Sequence, residues 1–99
     1  MPQGPFQVVT LSNASQTELN ISDATVVKSS NGFVATISVI ETSSTAGAIY
    51  DATSVTGNTS ANQIATIPAT VGTYAINFIA KNGIVVDPGA SQVVAISFT

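Results

Sequence analysis

Ninety-nine residues make one domain with room for a single core. Charged residues are only 7 %, the formal charge is −3, and Lys28 and Lys81 are the only cations, which excludes a phosphate-neutralising nucleic-acid surface and attraction to anionic membranes. The absence of Cys and His removes thiolate chemistry, zinc ligation and imidazole-dependent serine catalysis.

Residues 1–5 contain Pro2, Gly4 and Pro5. Proline lacks an amide donor, so this piece is expected to be extended and outside any sheet ladder. In residues 6–11 (FQVVTL), Phe6 and Val8 share one face, and Val9 and Leu11 share the other. A strand apolar on both faces needs two covering surfaces. It reads either as a sheet strand or as an arm laid on a neighbouring subunit. Residues 1–12 are therefore taken as an extended N-terminal arm or first strand, and 13–99 as the folded domain. Met1 is not followed by a basic and then an apolar stretch, so a protein made and used in a cytosol is expected.

Residues 12–23 are polar, with Leu19 and Ile21 expected on a common face. Residues 24–29 form a moderate strand. Asn31-Gly32 then reads as a hairpin turn. In residues 33–42, Phe33, Ala35, Ile37 and Val39 line one face, and Thr36 and Ser38 the other. Residues 48–53 are a short strand, 54–62 an exposed loop, and 63–67 a strand that Pro68 ends or confines to an edge.

The last third is the most regular. Tyr74, Ile76 and Phe78 alternate with polar or small residues, and so do Val94, Ile96 and Phe98. Between them lies Ile84-Val85-Val86, bounded by Asn82-Gly83 and by Asp87-Pro88-Gly89, both with turn chemistry. No stretch carries a helical apolar stripe. The expected fold is all-β: a single-domain antiparallel β-sandwich of seven to eight short strands, with a jelly roll open at eight. The expected core is Phe33, Ala35, Ile37, Val39, Ile49, Ile64, Ile67, Tyr74, Ile76, Phe78, Ile84, Val86, Val94, Ile96 and Phe98.

The chemistry-bearing residues form no recognisable constellation. Neither lysine sits in a Ser-Lys motif. The acids Glu18, Asp23, Glu41, Asp51 and Asp87 read as turn and strand-end charges rather than a glycosidase pair. A weak calcium site would have to draw on Asp51, Asp87 and backbone carbonyls, and no Asp-x-Asp spacing supports one. Asn13, Asn20 and Asn58 each open an Asn-x-Ser/Thr triplet, as expected by chance in so Ser/Thr-rich a chain. No enzyme activity and no cofactor are expected.

The C-terminal two thirds, residues 33–99, resemble a family of small tailed-bacteriophage virion proteins. The resemblance rests on the order of short segments. Ile49-Tyr50-Asp51-Ala52 is followed by a small-residue loop, then by Asn62-Gln63-Ile64 through Ile67-Pro68, and by Thr70-Val71-Gly72. Gly83-Ile84-Val85-Val86, Pro88-Gly89 and the run from Gln92 to Phe98 close it. The resemblance implies a non-enzymatic structural protein on the outer capsid surface of a virion, made in the bacterial host cytoplasm. Its implied role is that of a decoration (cement) protein bridging capsid subunits. The implied partners are the major capsid protein and further copies of itself, as a homotrimer, with no nucleic acid or membrane. Alternatives are a head-fibre, tail or baseplate component, and a carbohydrate- or cell-surface-binding β module. Pro5, Phe6, Val8, Val9 and Leu11 are the expected interface residues, because strand addition gives main-chain hydrogen bonds without special side chains.

Overall fold

The computed structural model describes residues 16–99. Eight strands follow one another: β1 (Gln16–Ile21), β2 (Thr25–Lys28), β3 (Gly32–Glu41), β4 (Gly47–Asp51), β5 (Gln63–Ile67), β6 (Gly72–Ala80), β7 (Ile84–Asp87) and β8 (Val93–Phe98). They build a first sheet in the order β1-β8-β3-β6 and a second in the order β2-β7-β4-β5. Every neighbouring pair is antiparallel. The expected β-sandwich is present, with eight strands.

The winding has a simple logic. Pairs β1·β8, β2·β7, β3·β6 and β4·β5 are the rungs of one long two-stranded ribbon whose tip is the β4–β5 loop. Rolling the ribbon lays β8 against β3 and β7 against β4, completing both sheets. This is the jelly-roll winding, which gives every strand a covered inner face.

The turns at Asn31-Gly32, Asn82-Gly83 and Pro88-Gly89 look like hairpin turns in sequence, but each carries the chain from one sheet to the other. Asn31-Gly32 therefore does not make the expected hairpin. Among the described strands, β4 and β5 are the only sequence neighbours that pair. The reason is global. Each strand must bury an apolar face, and crossing to the opposite sheet sets two such faces against each other across the core. Close packing also explains Gly83. A Cβ there would stand 2.7 Å from the Lys28 carbonyl oxygen and closer still to that of Ala52.

The core joins Ile21, Val34, Ile37, Val39, Ala80, Val94, Ile96 and Phe98 of the first sheet to Ile49, Ile67, Ile84 and Val86 of the second. Ile64, Tyr74 and Ile76 are partly buried against it. Three expectations fail, one because its residue lies on an edge strand and two because extra residues in the strands shift their phase. On β6, the stretch from Ala75 to Phe78 faces only Thr36 to Val34 of β3, and Asn77 takes the left-handed conformation at φ 52°. Phe78 pairs with the buried Val34 but lies on the edge strand, where no further described strand covers it, and is 54 % exposed, although it was expected in the core. On β3, Val34 to Thr36 faces Phe98 to Ser97 of β8, so Val34 is fully buried and Phe33 only partly. Ala35 is buried but lies outside the main core cluster. On β1, the stretch from Glu18 to Ile21 faces Ile96 to Val94, with Asn20 at φ 58°. That bulge separates the expected pair: Ile21 enters the core, and Leu19 is left 69 % exposed. Asparagine tolerates this conformation better than other non-glycine residues, so the residue type fits the bulge.

Candidate functional site

The five expected interface residues, Pro5, Phe6, Val8, Val9 and Leu11, lie outside the described residues. Surface features can be located among the described residues. Three of them stand out.

The first is the outer face of the first sheet. Outward positions from β1, β8 and β3 converge on a shallow depression of about 130 Å³. Thr17 and Leu19 line it from β1, Ala95 and Ser97 from β8, and Thr36 and Ser38 from β3. None of these side chains is charged. The sheet alternation that buries Ile37, Val39 and Ile96 necessarily places these short hydroxyl and methyl groups on the opposite face. At one end of β3, Ile40 (55 % exposed) adds apolar surface, and the register Val39↔Gly72 brings it level with Val71 (56 %). The result is a shallow, mostly apolar surface whose depression carries no charge.

The second is the edge formed by β6, which has no outer partner strand among the described residues. It spans nine residues, contains no charged side chain, and exposes Phe78 and Ile79 (66 %). Natural edge strands are usually blunted by charge, brevity or bulges. Here the bulge at Asn77 is the blunting device within the strand itself.

The third is an open groove of about 430 Å³ on the second sheet. Ala48 sits between Thr66 of β5 and Asp87 of β7. Tyr50, Gln63, Pro88 and Gly89 also line it. The Gln63 amide donates to the Ala65 carbonyl and to the Thr66 hydroxyl, both at 3.1 Å, so Gln63 holds the β5 wall in place.

The acids do not converge. Asp51 and Asp87 stand at opposite ends of the β4·β7 ladder, opposite Ile84 and Ala48 respectively. Three residue steps at about 3.4 Å each set their backbones roughly 10 Å apart. The calcium pair considered from sequence is therefore not assembled. Among the described residues, no three potential metal ligands of the His, Cys, Asp or Glu type cluster.

Asp51 has structural work instead. Its carboxylate accepts from the backbone amides of Lys81 (3.1 Å), Asn82 (2.7 Å) and Gly83 (3.4 Å), tying the β6–β7 crossing to the end of β4. Burial opposes ionisation, but the amide hydrogen bonds from Asn82, Lys81 and Gly83 outweigh it and hold the pKa below the ordinary value. A lowered folded-state pKa means that this stabilisation is fully present above the unfolded value and is lost as pH falls through the folded one. Wild type should therefore lose melting temperature below about pH 4. Asp51→Asn should melt lower at pH 7 and lose less of its remaining stability across the acid range. Equal acid sensitivity of the two proteins would show that Asp51 does not contribute.

The β4–β5 loop, read from sequence as a plain exposed loop, is organised by its polar side chains. Thr59 and Asn62 cap each other around a short 3₁₀ turn (Ser60–Asn62), and the Asn62 amide also donates to the Asn58 side chain at 2.9 Å.

No protein-family model, no curated protein and no solved structure matches this chain.

Proposed function

We propose that this chain is a non-enzymatic structural protein of a bacteriophage particle: a capsid decoration protein that stabilises the head by bridging capsid subunits from outside. The observation that carries the reading is the uncharged depression on the outer face of the β1-β8-β3-β6 sheet, with Leu19 exposed among Thr, Ser and Ala side chains. Such a face docks without desolvating charge, so a modest interface per copy suffices when many copies act together. The fold supports the same role. A jelly roll with a densely packed core is a rigid block whose faces can be committed to contacts. The expected partners are the major capsid protein and other copies of this chain. Residues 1–11, with Phe6, Val8, Val9 and Leu11 as apolar anchors, are the segment assigned to reach a neighbour.

Deleting residues 1–10 tests that assignment. The truncated protein should keep its β-sheet circular dichroism and cooperative melting but fail to occupy capsids. Wild-type occupancy by the truncated protein would refute the assignment.

A second reading, a carbohydrate-binding module, is favoured by the groove that gathers Tyr50, Gln63, Thr66 and Asp87. An aromatic ring beside a carboxylate and an amide is the chemistry that meets a sugar's apolar face and its hydroxyls. A glycan array showing selective binding that Tyr50→Ala abolishes would move the assignment there. An array without hits would leave the capsid reading alone.

A further inference from the structure

We propose that copies of this chain assemble head to tail, with residues 6–11 of one copy adding as a fifth strand to the β6 edge of the next. The inference rests on reading residues 1–11 as a clamp and names the surface that the clamp grips. Three observations lead to it.

The first concerns the acceptor. Of the four edge strands, β6 is the longest at nine residues, against six for β1, four for β2 and five for β5. Its exposed apolar side chains, Phe78 and Ile79, have no cover among the described residues. Tyr74 and Ile76 of the same strand pack against the core and are only partly covered by it. A two-faced apolar segment such as FQVVTL gains most beside such an edge, because cross-strand apolar pairs supply its stabilisation.

The second concerns where the segment starts. The fifteen residues that precede the described part join the sheet at Gln16, on β1. That strand is the opposite edge of the same sheet. Gln16 lies level with Phe98, Phe98 with Val34, and Val34 with Phe78, so segment and acceptor stand at the same end of the sheet. Donor on one edge and acceptor on the other is a head-to-tail arrangement, which closes into a ring when the rotation permits.

The third concerns reach. A fifth strand beyond β6 lies four strand spacings from β1, about 19 Å. The five backbone steps from Leu11 to Gln16 span at most about 18 Å, even without detouring over the sheet face. A copy's own segment therefore falls short of its own β6. Its own β1 is within reach but is a poor partner, since Gln16, Thr17, Glu18 and Asn20 leave Leu19 as the sole large apolar residue exposed there.

Two full-length variants separate the halves of the contact. Val8→Asp with Val9→Asp spoils the donor segment and leaves β6 intact. Phe78→Lys with Ile79→Lys spoils the acceptor edge and leaves the segment intact. Both β6 positions are exposed, so melting temperature should change little. By light scattering, wild type should be a closed oligomer, for which a trimer is the expected ring, and each variant alone a monomer. An equimolar mixture of the two should form a 1:1 heterodimer that grows no further. A monomeric wild type or a mixture that stays monomeric overturns the proposal. Self-association of the donor-spoiled variant overturns it in favour of direct β6–β6 pairing. No capsid is present in this experiment, so its outcome is independent of whether the protein binds capsids.

Discussion

Ile37→Ala is expected to destabilise the domain by about 2–5 kcal/mol, a large part of the total stability of a chain this size. Ile37 is fully buried on β3, the strand that pairs with both β6 and β8. Its register partners are Tyr74 on one side and Ile96 on the other. Removing its outer carbons leaves a cavity facing the second sheet, and the neighbours are fixed by two ladders, so they collapse little into it. Ile40→Ala, three residues along the same strand but 55 % exposed, should change stability by less than about 0.5 kcal/mol. Urea denaturation of the two variants checks the contrast. Similar losses in both would mean that β3 does not organise the core as described.

Gln92→Leu is expected to cost about 2–4 kcal/mol, although it replaces a polar residue with an apolar one of similar size in a fully buried position. The Gln92 side chain bridges two connections. Its amide donates to the Pro68 carbonyl at 2.9 Å, and its oxygen accepts from the Gly89 amide at 2.9 Å. Leucine leaves both backbone groups buried without these partners. The surrounding turn offers no slack. The Gln92 backbone N–H already donates to the Gly89 carbonyl at 3.0 Å, and Ser91 holds the left-handed conformation at φ 61°. A Cβ at Gly89 would stand 2.8 Å from the Ser43 hydroxyl oxygen and nearer to the Thr45 carbonyl. A melting temperature within 2 °C of wild type, on the order of half a kilocalorie for a domain this size, would show that the bridge contributes little.

Strand identity was largely legible because β-branched residues alternating with small polar ones admit few other structures. Sheet membership was not. Asn82-Gly83 and Pro88-Gly89 suit a hairpin and a sheet crossing equally, and only the need to cover Ile84 and Val86 from the far side decides between them. The bulges were hidden because they shift the phase without interrupting the strand. Their one local trace is an asparagine inside an otherwise strand-forming run, as at Asn20 and Asn77. Gln92 carries no trace at all, since its burial depends on Pro68, twenty-four residues earlier. The scarcity of charge was visible as composition, but the location of the uncharged depression followed only from which strands adjoin. Thr17, Thr36 and Ser97 are remote in sequence and meet because β8 lies between β1 and β3.

The proposed cementing of a capsid is tested by the thermal rupture of heads with and without the protein. Purified protein would be added to DNA-filled heads lacking it, unbound copies removed, and release of DNA followed by a dye on heating. A decoration protein should bind to saturation at a fixed number per head and raise the rupture temperature in step with occupancy. Folded protein that leaves heads unoccupied, or that saturates them without shifting rupture, would contradict the account.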